Sequence, residues 1–201
     1  MKNIGLISSM VLASTLVASA QTKFPLRVDI DVSTKKHRES IGAGMDGEVK
    51  VEKISVRVKL RKSSGQPWTE PVTAELYVIG RQIQTGYYGV LDVMKQEFTF
   101  DKENDNTFEF TSKQFSIPQT SGNINVGGTY ETYLLVIVDH EGNIVDTRSG
   151  RHIKDEGIAF IRELGPKTLF DRDGNVIGEF KPNKAGFAAA AAAATDPGDD
   201  N

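Results

Sequence analysis

The chain has 201 residues, no cysteine and a formal net charge of −3. That length supports one ordinary domain with a sizeable core, so disulfide staples are not required. Mild acidity argues against nucleic acid and anionic membrane surfaces as partners, and the absence of cysteine excludes thiol catalysis, a thioether lipid anchor and cysteine-ligated zinc.

Met1–Ala20 has the three-part layout of a secretory signal peptide. Lys2 supplies the positive start, Ile4–Val17 is an uncharged apolar run, and Ala18-Ser19-Ala20 is a small-x-small site before Gln21. The run is shorter than the ~20 residues that span a bilayer, and no basic stop-transfer cluster follows. Cleavage near Ala20 is therefore expected, with no transmembrane segment afterwards. It removes Lys2 and no acid, moving the charge from −3 to −4. A cysteine-free exported domain points to a bacterial envelope, periplasmic or secreted.

From Leu26 the pattern has period two, the mark of half-buried strands. Leu26, Val28, Ile30 and Val32 alternate with Arg27, Asp29 and Asp31; Ile54, Val56, Val58 and Leu60 alternate with Ser55, Arg57 and Lys59. Val72, Ala74, Leu76 and Val78 continue the pattern. Between the first two sets, Ser33–Gly47 is polar and Gly-rich, with a basic cluster at Lys35-Lys-His-Arg38, and reads as loosely ordered.

The apolar phase changes at three places: Val49 and Val51 against Ile54, Leu91 and Val93 against Phe98 and Phe100, and Phe108 and Phe110 against Phe115 and Ile117. A one-residue shift flips the hydrophobic face, so each break predicts a β-bulge or a strand that crosses between sheets. Phe98-Thr-Phe100 and Phe108-Glu-Phe110 flank a fully polar segment and predict a hairpin with aromatic pairs across its strands. Pro118 is expected to end the second of these strands, and Ser121–Gly128 to form a loop.

Tyr130–Val138 is apolar on both faces, with Tyr130, Thr132, Leu134, Val136 and Val138 on one and Tyr133, Leu135 and Ile137 on the other. Such a strand is central and covered on both sides. A helix over Arg151–Leu164 is the predicted cover, with Ser149 as its N-cap and Gly165-Pro166 as its stop. Asp139-His-Glu-Gly-Asn-Ile144 and Asp171-Arg-Asp-Gly-Asn-Val176 repeat one turn pattern and predict two hairpins. The end, 183–201, is a low-complexity tail in which an alanine run precedes acidic residues.

Candidate sites are sparse. Asp171, Asp173 and Asn175 have the spacing that opens a calcium loop, but Val176 and Pro182 stand where the loop needs Gly and Glu. Two acidic turns are the expected reading, with no metal and no cofactor. His37, His140 and His152 show no metal-ligand spacing, and no Gly-x-Ser-x-Gly elbow is present. The Gly-rich stretches precede strands, so they offer no phosphate cradle at a helix N-terminus. Three aromatic residues in connections are the ligand-binding candidates: Trp68, Tyr87 and Tyr88. They could stack on sugar rings, or Trp68 could plug the core while the tyrosines pack along a hairpin.

These features predict a mainly β, immunoglobulin-like antiparallel sandwich of seven to nine strands over 21–182, with one C-terminal helix and a disordered tail. The functional expectation is an exported, non-enzymatic module, structural or binding another envelope or extracellular protein. The alternatives are carbohydrate binding through the loop aromatics, or a hydrolase whose residues only the fold assembles.

Overall fold

The computed structural model describes residues 26–40, 48–62, 70–100, 106–120 and 126–181. Met1–Ala20, Trp68 and 183–201 lie outside them.

Among the described residues there are ten strands and one helix: β1 Leu26–Ser40, β2 Glu48–Lys62, β3 Val72–Gln82, β4 Tyr88–Phe98, β5 Thr107–Thr111, β6 Phe115–Gln119, β7 Gly128–Val138, β8 Ile144–Ser149, α1 Asp155–Glu163, β9 Thr168–Phe170 and β10 Val176–Glu179. They form two antiparallel sheets. In the first, β1 pairs with β2, and β5 and β6 share the other side of β2. The second has the order β10-β9-β4-β3-β7-β8. The protein is a β-sandwich.

Alternation along each strand places one apolar set between the sheets. Ile54, Val56, Val58 and Leu60 of β2 meet Val72, Ala74, Leu76 and Val78 of β3 and Leu135 and Ile137 of β7. Each of these valine, leucine and isoleucine side chains contributes about 1.5–3 kcal/mol on full burial. A second cluster lies on the outer face of the larger sheet, where Tyr77, Ile79, Val90, Leu134, Val136 and Val138 meet Ile158 and Ile161 of α1 and Leu164 at its C-cap. The strand β7 is thus central and covered on both sides, as its sequence requires.

The three phase changes have three different causes. In β4 the cause is a bulge: Val78 pairs with Asp92 and Ile79 with Val90, leaving Leu91 extra. The second is a chain break, since β5 and β6 are separate strands on one side of β2. Ser112 sits at that break, where its hydroxyl accepts from the Val56 N–H at 2.9 Å. The third is no break in pairing at all. The β1–β2 ladder runs without a register shift from Leu26↔Lys62 to Ser40↔Glu48. Val49 and Val51 are buried on the face opposite Ile54, so the apolar face changes along an unshifted strand, with the Glu52 carboxylate taking the Ile54 face.

Several sequence expectations are corrected. Ser33–Ser40 is not loose, because this polar stretch completes β1 through continuous backbone pairing with β2. The segments around Phe98 and Phe108 are not a hairpin, since β4 and β5 belong to opposite sheets. Their rings meet across the sandwich instead, stacked with centroids 4.5 Å apart. Pro118 does not end β6; it pairs with Val51, and the strand runs to Gln119. Proline is tolerated there because β6 pairs along its length with β2 alone, its other side meeting only the isolated Gln119–Gly127 bridge. Tyr130 leaves the face of Leu134, because Ile79 pairs with Thr132 and Gly80 with Tyr130, making Glu131 a bulge. Its ring packs on the inter-sheet core. The helix begins at Asp155, not Arg151, and its N-cap is Lys154, with no side-chain cap bond. Ser149 is held in β8 opposite Leu134 and is not available as a cap.

Candidate functional site

The helix α1 converts the outer face of the larger sheet into a site. Ile158, Ile161 and Leu164 recur at helical spacing and face the strands, which sets Arg162 at the rim of the same contact. Beneath it, the odd positions of β3 carry Glu75 and Tyr77, with relative exposures of 5% and 0%.

A buried carboxylate needs charged or hydrogen-bonding partners. Glu75 has three. Its Oε2 accepts from Arg162 Nε at 2.8 Å, its Oε1 from Lys95 Nζ at 3.0 Å, and its Oε2 again from the Tyr77 hydroxyl at 3.3 Å. The one phenolic proton of Tyr77 is shared with the Arg162 carbonyl, also at 3.3 Å. Burial pushes the Glu75 carboxyl up, but the bonds from Arg162 and Lys95 outweigh it and hold the group below its ordinary value. Burial, reinforced by the Glu75 charge, pushes Tyr77 up to about 12. The bond to Glu75 likewise raises Arg162. The cluster ties α1 to the sheet through charge as well as apolar contact.

Beside α1 lies an open groove of about 450 Å³ lined by Ile144, Val145, Asp146, Thr147, Ile158, Ala159 and Arg162. Its two walls are the helix and β8. Among the described residues, β8 pairs only with β7, so its other edge is joined to no further strand. Ile144, at the mouth of the groove, is 44% exposed. The other exposed large aliphatics of the described chain are Val176 and Ile177, on the opposite edge strand β10. Both edges open with an aliphatic residue that follows the repeated turn.

Those turns are built alike. Asp139 Oδ1 accepts from the backbone N–H of Glu141 and Asn143, and Oδ2 from Asn143 Nδ2. Asp171 does the same with Asp173 and Asn175, at 2.9 Å in each bond. Gly142 and Gly174 take the positive φ, at 90° and 83°. The side-chain bond from Asn175 holds the Asp171 carboxyl below its ordinary value. Among the described residues, no three His, Cys, Asp or Glu groups are placed to hold a metal ion. Of the histidines, His140 sits with Nδ1 2.7 Å from Glu70 Oε2, while His37 lies on β1 and His152 precedes α1.

The structure separates the two tyrosine candidates. Tyr87 packs against the inter-sheet core, whereas Tyr88 joins the helix-side cluster and stacks on Phe170 with centroids 5.7 Å apart. Adjacent positions at the start of a strand point to opposite faces, so the pair presents no shared platform. Sequence reading missed the groove and the Glu75 cluster. Its one available signal was Tyr77 and Ile79 beside Glu75, an apolar content too high for a solvated face.

No family model matches the chain, and no curated protein is similar to it at a significant level. Among solved structures, one from Akkermansia muciniphila is similar over 75% of this chain and 85% of its own, with 13% identity and a TM-score of 0.33. A target of the Northeast Structural Genomics Consortium is similar over 66% of this chain and 94% of its own, with 9% identity and a TM-score of 0.32. Neither likeness bears on function.

Proposed function

We propose that the chain is an exported, non-enzymatic β-sandwich module that binds a protein partner in the cell envelope along the groove between α1 and β8. Export rests on the layout of Met1–Ala20. No helix among the described residues is long and apolar enough to cross a membrane.

One observation carries the binding reading: an open sheet edge and a helix form the two walls of a partly apolar groove. An edge strand offers main-chain bonds to an incoming extended segment, and alternate side chains of that segment reach the adjacent wall. The Glu75–Arg162 pair supports the reading from below, because it holds the helix at a fixed distance from the strands.

Ala159 is exposed and lines the groove. Ala159→Trp is expected to fill the groove while changing stability by no more than about 0.5 kcal/mol, as for other surface substitutions. Capture of an envelope protein by the wild-type chain, lost in Ala159→Trp at an unchanged melting temperature, is the expected result. Equal capture by both chains would place the binding surface elsewhere.

A further inference from the structure

The edge of β8 permits a more specific assignment of the partner, which rests on the protein-binding reading above. Gly150 N–H bonds the Tyr133 carbonyl, and the β7–β8 register pairs Leu135 with Arg148 and Ile137 with Asp146. Hydrogen-bonded pairs alternate along an antiparallel ladder. Arg148 and Asp146 therefore direct their backbone groups at β7, and Thr147 and Ser149 direct theirs outward.

The outward N–H of Thr147 is held at present by its own neighbour. Asp146 Oδ1 accepts it at 2.8 Å, and Asp146 Oδ2 lies 3.1 Å from Arg148 Nη2. A charge placed on an edge in this way guards it against indiscriminate pairing. It leaves open a partner that offers both a strand and a cation for Asp146.

We infer that this partner is a second copy of the chain, joined by antiparallel pairing of β8 with itself about Thr147. In that register Thr147 faces its own equivalent, Asp146 of each copy faces Arg148 of the other, and Val145 faces Ser149. Opposite residues share a face, so both cross-strand ion pairs form together. Asp146 exchanges the Thr147 N–H for the facing Arg148, and the freed N–H bonds the facing Thr147 carbonyl. The two six-stranded sheets become one, closed by a two-fold axis, with both helices on the same side. The opposite edge is a poorer choice. β10 has four residues, and a bulge at Ile177 interrupts its ladder to β9.

The lack of native cysteine makes the test clean. Across a hydrogen-bonded pair the Cα atoms lie about 5.5 Å apart, inside the range a disulfide bridges. Mature Thr147→Cys is expected to cross-link to a dimer under mild oxidation, and Val176→Cys on the opposite edge to remain monomeric. By sedimentation equilibrium, Arg148→Asp is expected to weaken wild-type association by about tenfold or more, through like charges placed face to face. The double exchange Asp146→Arg with Arg148→Asp is expected to restore it. Cross-linking of Val176→Cys alone, of both variants equally, or of neither would overturn the inference, as would a wild-type chain that stays monomeric at every concentration. Failure of these arms with Ala159-dependent capture of a different protein would retain the binding reading and remove only the second copy.

Discussion

Glu75 shows how one residue records a face that alternation alone assigns to solvent. It lies on the outer side of β3, a polar side by period, yet α1 buries it. Its charge survives because Arg162 and Lys95 bond it more strongly than desolvation penalises it. A carboxyl held below its ordinary value stabilises the fold above the unfolded-state range and loses that contribution as pH falls through its folded value. In Arg162→Met the burial remains and the strongest bond goes, so the Glu75 carboxyl is expected to titrate higher than in the wild type, read by carbon NMR. The variant is expected to lose about 1–3 kcal/mol, below the full cost of a broken buried pair because Lys95 remains. An unchanged Glu75 titration would remove Arg162 from the account of this cluster. The turn residues were more legible. Asp171 and Asp139 repeat in sequence and in structure, each satisfying its own turn. With both Asp171 oxygens engaged, titration with calcium is expected to give no heat at micromolar affinity; measurable heat would show that the turn opens to the ion.

At the scale of elements, strand existence was legible and strand partnership was not. Period two located β1, β2, β3 and β7, but it says nothing about which sheet a strand joins. Phe98 and Phe108 illustrate the point: their spacing suggests partners within one hairpin, and their rings do stack, but across the sandwich. The seat of Phe180 was also hidden. Phe180, just past β10, is 4% exposed, and its ring lies over glycines of β3, β4 and β7. A Cβ on Gly89 would lie 2.2 Å from the ring, and one on Gly80 3.1 Å from it. Glycine is needed here for close approach, so no turn signal marks it. Gly89→Ala is expected to displace Phe180 and cost about 1–3 kcal/mol, the usual range for overpacking. A melting temperature equal to wild type would mean that the ring has another seat.

At the scale of the molecule, the two sheets are joined by charge as well as by oil. Glu52 of β2 accepts from Thr129 Oγ1 and the Tyr130 N–H of β7, each at 3.0 Å, while Lys36 lies 3.5 Å from its other oxygen. The sandwich was legible because many strands voted for it independently. The groove was not, because it depends on where a nine-residue helix stands relative to one sheet edge. No periodicity encodes that distance. The central claim is that this groove is the protein-contact surface. Its most direct measurement is photocross-linking from position 159 in the native envelope, with position 176 on the far edge as control. The expected result is a discrete protein adduct from position 159, whether with a second copy or another protein, and none from 176. No adduct from 159, or the same adducts from both positions, would contradict the account.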